Sequence, residues 1–181
     1  MSPLGGCGRE TGSGRWTLDA GFQPIRWIAS RTVTVDAMRT DPALCPICLA
    51  AGALCSGRPV RPLILSPQHR VCLAAWKREL HFGAPEVLVP AVALLNGTGV
   101  RRMAPRSAVN YVHFLLDDHH IVQSKGVLSE SFFPSPLAMR GVPDVARAEL
   151  LRLFPSTDAM FGRFAATARP VVQGPRTMLA A

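Results

Sequence analysis

Between residues 24 and 128 the chain is cut into short apolar runs, bounded by turns that contain glycine, proline, asparagine or aspartate. The runs are PIRWIASRTVTV (24–35), RPLIL (61–65), HRVCLAAW (69–76), EVLVPAVAL (86–94), GVRRM (99–103), VNYVHFLL (109–116) and HIVQSKGVL (120–128). They are rich in Val, Ile and Leu, whose side chains suit a pleated, half-buried surface. Many short strands at close spacing predict an all-β assembly, either packed sheets or a partly closed barrel. Pro24, Pro46, Pro62 and Pro67 fall near run starts or breaks, where strands tolerate a missing N–H. NGTG at 96–99 is the strongest tight-turn signal.

The pattern changes at both ends. The opening 20 residues are Gly-rich and lack any period, so an irregular lead-in is expected over 1–20, followed by a β domain over 21–133. In the extension, 134–181, PDVARAELLRLF (143–154) begins with proline and aspartate and carries Val145, Ala148 and Leu151 at helical spacing, with Leu150 and Phe154 nearby. One amphipathic helix is predicted there, stopping at Pro155. The last 25 residues read as a loosely attached tail.

Composition excludes several functions. A chain of 181 residues, 48% hydrophobic and 18% charged, is long enough to bury one core. No apolar run approaches the roughly 20 residues that a membrane-spanning helix needs. The formal charge of +8 comes almost wholly from arginines scattered singly, the longest basic run being Arg101 and Arg102. Nucleic-acid contact calls for a clustered basic face with stacking aromatics, so it is not expected. MSPLGGCGRETGSGRW has no apolar stretch behind its first charge and is unlike a secretory signal. The expected location is the cytoplasm, or outside by a route without a classical signal.

Five cysteines, Cys7, Cys45, Cys48, Cys55 and Cys72, suggest reduced thiols. CPIC (45–48) has the spacing of half a zinc site, but Cys55 and Cys72 do not form the second close pair. Neither a metal nor a cofactor is expected. The one rival metal arrangement, His113 with His119 and His120, is opposed by strand geometry, which turns adjacent residues to opposite faces.

The histidines carry the chemical interest. In LSPQHRV, Ser66 and His69 flank a bend imposed by Pro67, placing a hydroxyl and an imidazole where both can address one backbone group. In YVHFLLDDHHIVQSKG, a strand, a turn at DDHH and a returning strand would form a hairpin bringing His113 towards His120. On spacing alone, a histidine in a strand is more often structural than catalytic, and DDHH is more often a solvated turn.

LSPQHRV, then LVPAVALLNGTGVRRM, then VNYVHFLLDDHHIVQSKGVLSESFFP resemble the bacterial branch of the Hedgehog/intein, or Hint, family. With GFQPIRWIASRTV before them and ARAELLRLFP after them, the resemblance extends over residues 20–155. It implies a horseshoe-like all-β domain that rearranges its own backbone. In the family, a first Cys or Ser attacks the carbonyl of the preceding residue, giving a thioester or ester and then self-cleavage. An amide resists such attack unless its nitrogen is protonated or its plane strained. The family's T-x-x-H element supplies that help, and SPQH matches it at Ser66 and His69. His120, six residues before Gly126, matches the family's later histidine, and His113 stands where many inteins carry an aspartate. Where inteins end in His-Asn, GVLSES places Glu130 and Ser131, which cannot form the succinimide that splicing needs.

The resemblance fails at the front. Cys7 is followed by GRETGSG rather than an apolar strand and stands too close to Pro24, so it is a weak match for the nucleophile. The expectation is an N-terminally shortened autoprocessing domain, inactive or partial, whose partner would be its own upstream polypeptide. The alternative is a non-enzymatic β-rich interaction module.

Overall fold

The computed structural model describes residues 13–54, 57–74, 85–153, 162 and 164–172. Among these, eleven strands and three short α-helices form an all-β architecture of three antiparallel sheets. The strands are β1 Gly14–Thr17, β2 Gly21–Pro24, β3 Trp27–Val33, β4 Ile47–Leu49, β5 Leu63–Leu65, β6 Arg70–Ala74, β7 Glu86–Pro90, β8 Val100–Arg102, β9 Val109–Leu115, β10 Ile121–Ser124 and β11 Val127–Glu130. The helices are α1 Val35–Thr40, α2 Pro136–Met139 and α3 Asp144–Leu153.

The largest sheet has the order β2-β1-β10-β11-β6-β7, β5-β4-β8 form a second, and β3 with β9 a third. Six-stranded and three-stranded sheets share a core of Ile47, Leu49, Leu63, Val71, Val87, Val89, Leu94, Val100 and Val127. Each such side chain stabilises the fold by roughly 1.5–3 kcal/mol relative to exposure. A second cluster, Trp27, Leu115, Phe132, Met139, Val142, Leu150 and Phe164, ties the β3–β9 ribbon to the two later helices.

Several local expectations change on folding. EVLVPAVAL is a strand only to Pro90, after which Ala91–Leu94 turn as a 3₁₀ helix. Their N–H groups are taken by the turn before β6, Ala91 donating to His69 and Val92 to Pro67. The run at 120–128 is a hairpin, with Lys125 and Gly126 both at positive φ, 51° and 83°, as a two-residue primed turn requires. VNYVHFLL pairs with β3 along its whole length and not with the strand after DDHH, so the expected His113–His120 hairpin does not form. DDHH instead carries the chain from one sheet to another, anchored by a 2.7 Å ion pair between Arg26 and Asp117.

The ends are also more structured than expected. Gly14–Thr17, inside the stretch read as irregular, pairs with β2 and touches β10, while residues 1–12, Cys7 included, lie outside the described residues. Helix α3 occupies the expected place but buries Leu150 and packs Ala146 against the second cluster, leaving Val145 86% exposed. A weakly amphipathic stretch offers two neighbouring stripes, and contact with Trp27 and Phe164 selects one. Most of the expected tail segment that is described, 164–172, is attached: Val171 bridges Leu88 in parallel and Val172 enters the main core.

Candidate active site

Ser66, Pro67, Gln68 and His69 form a β-turn closed by the His69 N–H donating to the Ser66 carbonyl at 3.1 Å. Proline at the second position pre-sets its φ. The His69 carbonyl accepts from Ala91 at 2.9 Å, so the histidine is fixed by a turn on one side and a 3₁₀ helix on the other. Its half-buried imidazole has a pKa pushed below 6.5, chiefly by burial, with Arg70 and His119 adding to the effect and Glu130 opposing it. Near neutral pH it is an uncharged ring, able to accept or donate one proton.

Beside it lies an ionic cluster that only the sheet register explains. Ser129 pairs with Val71, which sets Glu130 of β11 opposite Arg70 of β6. The Glu130 carboxylate accepts from the Arg70 backbone N–H at 3.0 Å and from its guanidinium at 2.8 Å, so a side chain replaces a backbone acceptor where the ladder ends. Burial pushes the Glu130 pKa up, but contact with His119 and the charge of Arg70 outweigh it and hold the carboxyl below 4.5. This 9% exposed carboxylate is therefore ionised and paired.

His119 completes the cluster. Its side chain is 1% exposed, with Nε2 3.2 Å from Glu130 Oε2. The approach is too oblique for a hydrogen bond, so the contact is electrostatic. On the ring's other side Nδ1 accepts the Ala168 N–H at 2.9 Å, which leaves the ring hydrogen on Nε2, facing the carboxylate.

Ser66, at the first turn position, and His69, at the fourth, are the two ends of one backbone-closed turn. His113, on β9 opposite Ala29, has its ring 5.2 Å from that of Phe132, and its pKa is lowered by burial first and then by the charges of His69 and Arg31. His120 is different. Its carbonyl accepts from the Ser131 N–H at 2.9 Å, and its own N–H donates to Ser131 Oγ at 3.0 Å. The structure brings His119 rather than His120 to Glu130, and it adds Arg70, which the sequence reading did not single out. A charged residue inside the apolar run VLSESFF was the available signal, since a carboxylate in a buried strand needs a partner.

The thiols among the described residues are unlike an activated nucleophile. Cys45 is buried and donates to the Met38 carbonyl at 3.7 Å, and burial raises the Cys72 pKa to about 11. Cys48 is half-buried in β4, on the face turned from Ile47 and Leu49. Among the described residues no group of three His, Cys, Asp or Glu is placed to hold a metal. The cluster holds groups that can polarise, orient and move a proton.

The sequence profile described as Hint domain matches residues 10–136. The chain belongs to the Hint domain family. This match, over more than half the chain, agrees with the all-β fold and includes the turn at Ser66–His69, Glu130 and every strand of the Hint-type sheets described above. It stops before α3 and the segment 164–172. No curated protein and no solved structure matches the chain.

Proposed function

We propose that this Hint domain carries the acid–base half of an autoprocessing site, with His69 as its working imidazole and Ser66 as its hydroxyl partner, and that splicing is outside its repertoire. The carrying observation is the Pro67-initiated turn that fixes a neutral, half-buried His69 beside the Arg70–Glu130 pair. In the reaction, a thiol or hydroxyl attacks the carbonyl of the residue before it and the amide C–N bond breaks. The departing nitrogen takes the proton, and water or an external thiol then cleaves the resulting thioester or ester. A hydrogen bond from His69 to the amide nitrogen would ease the C–N step, and positioned proton transfer of this kind is worth about 10²–10⁴-fold. His113 would tune His69, and His120 would act through the β10–β11 hairpin.

The reaction is partial in this chain, because Cys7 is a weak match for the nucleophile and Glu130 and Ser131 stand where splicing needs His-Asn. Neither a carboxylate held by Arg70 nor a serine hydroxyl has the amide nitrogen that closes a succinimide. The polypeptide acted on would be one joined upstream.

Dithiothreitol with intact-mass detection tests this. The native chain should keep its mass; loss of residues 1–6, abolished by Cys7→Ser, would overturn the claim of a partial site. The same chain extended by a Cys-bearing first strand from a Hint relative should shed its upstream segment on thiol addition. His69→Ala should then slow release by at least about 10²-fold. Equal rates would overturn the role of His69 and favour the interaction module, a reading supported by the exposed Trp16, Phe22, Ile28 and Val112.

A further inference from the structure

The segment 164–172 lies beyond the Hint match, yet it reaches the buried cluster at two points. The Ala168 N–H donates to His119 Nδ1 at 2.9 Å. Phe164 meets Phe133 edge-on at 6.3 Å, and Phe133 meets the His119 ring in the same way at 5.0 Å. Behind these contacts the segment is fastened to the sheet. Leu88 donates to the Pro170 carbonyl and Val172 to the Leu88 carbonyl, at 2.8 and 2.9 Å, adding a short parallel edge to β7. Arg169 joins Glu86 at 2.6 Å and Asp19 at 2.8 Å, clamping the segment between β7 and the β1–β2 turn. Val171 and Ala168 pack on Cys72, Leu88 and Ile121, and Val172 enters the core on the other face.

We infer that residues 164–172 are a strap whose Ala168 N–H is a positioning group, holding His119 in the single tautomer that carries its ring hydrogen on Nε2, the nitrogen 3.2 Å from Glu130. The strap acts through a chain of named contacts. Arg169 fixes the backbone at Ala168, Ala168 occupies the lone pair of Nδ1, and Nε2–H is thereby set against Oε2 of Glu130. Without that donor both ring nitrogens could carry the hydrogen, and the tautomer with a bare Nε2 would turn a lone pair towards the carboxylate. The Glu130–Arg70 geometry beside His69 thus depends on a segment outside the family match. That this matters for cleavage rests on the function proposed above, whereas the positioning itself does not.

Long-range ¹H–¹⁵N spectra of the imidazoles test the positioning without any cleavage readout. In the native chain the two His119 nitrogens should be widely split, one bearing the lone pair and one the hydrogen. Ala168→Pro removes the donor and should collapse that split towards the average of the two tautomers. Arg169→Gln, which frees the strap without touching His119, should shift it the same way by a smaller amount, with faster amide exchange at Val172. His69→Ala should leave the split intact, so a failed cleavage assay and a failed strap are separate results. An unchanged split in folded Ala168→Pro, or in Arg169→Gln with Val172 shown to exchange faster, would overturn the inference.

Discussion

Glu130 and Arg70 stand opposite each other across β11 and β6, sixty positions apart in sequence, and one carboxylate there accepts both the backbone and the guanidinium of the same arginine. The pair replaces the last rung of the ladder and places charge within reach of His69. Loss of one member leaves the other shielded from water and unpaired, the expensive way to disturb such a site.

Glu130→Gln keeps the shape and removes the charge. It should destabilise the domain by roughly 1.5–3 kcal/mol, the range for hydrogen bonds to charged groups. Replacing Arg70 with Met in the same chain should return part of that loss, since no lone buried charge remains. Urea midpoints of the two single variants and the double variant give the coupling directly, and additive losses would show that the pair is not coupled.

Acid should weaken the fold in two adjoining steps. The pKa values of His69 and His113 are held below 6.5, chiefly by burial, so below that pH the unfolded chain takes up protons that the folded chain refuses, and stability falls. The pKa of Glu130 is held below 4.5, so its contribution is present above that value and is lost as pH falls through the folded-state value. Melting temperatures should therefore drop steadily from pH 7 towards pH 4. His69→Gln with His113→Gln should flatten the upper part of that slope and leave the lower part.

The β10–β11 hairpin depends on Gly126, whose φ of 83° suits glycine and few other residues. A β-carbon there would also stand 2.7 Å from the Arg58 guanidinium, a flexible tip that can move aside. Gly126→Ala should therefore cost about 1–3 kcal/mol through backbone strain. Because the hairpin carries Glu130, the His69 imidazole signals should shift in the folded variant. A loss below about 0.5 kcal/mol in denaturant titration would show that the turn relaxes.

Cysteine labelling checks the absence of an activated thiol. With its pKa raised to about 11 by burial, Cys72 should resist iodoacetamide at pH 8 until the chain unfolds. Among Cys45, Cys48 and Cys72, the half-buried Cys48 should react first. Peptide mapping after timed alkylation resolves the order, and early modification of Cys72 would reopen the search for a nucleophile at β6.

Much of this protein was readable in one dimension. Short β-branched runs cut by turn residues determined an all-β fold, SPQH a sharp turn carrying Ser66 and His69, and PDVARAELLRLF a helix, because periodicity and turn chemistry act over a few residues. The motifs in order also carried the Hint resemblance, and the family match bears it out. Other features belonged to the tertiary structure alone. Whether His119 or His120 meets Glu130 depends on which face of β10 and β11 turns inward. The partner of β9 is β3, with Ser30 opposite Val112, rather than its neighbour in sequence. The strap at 164–172 reads as a tail because its order comes from Asp19, Glu86, Leu88 and His119, none of them local. Contacts between distant segments form only once the sheets have assembled, so no local pattern around His119 or Ala168 announces them.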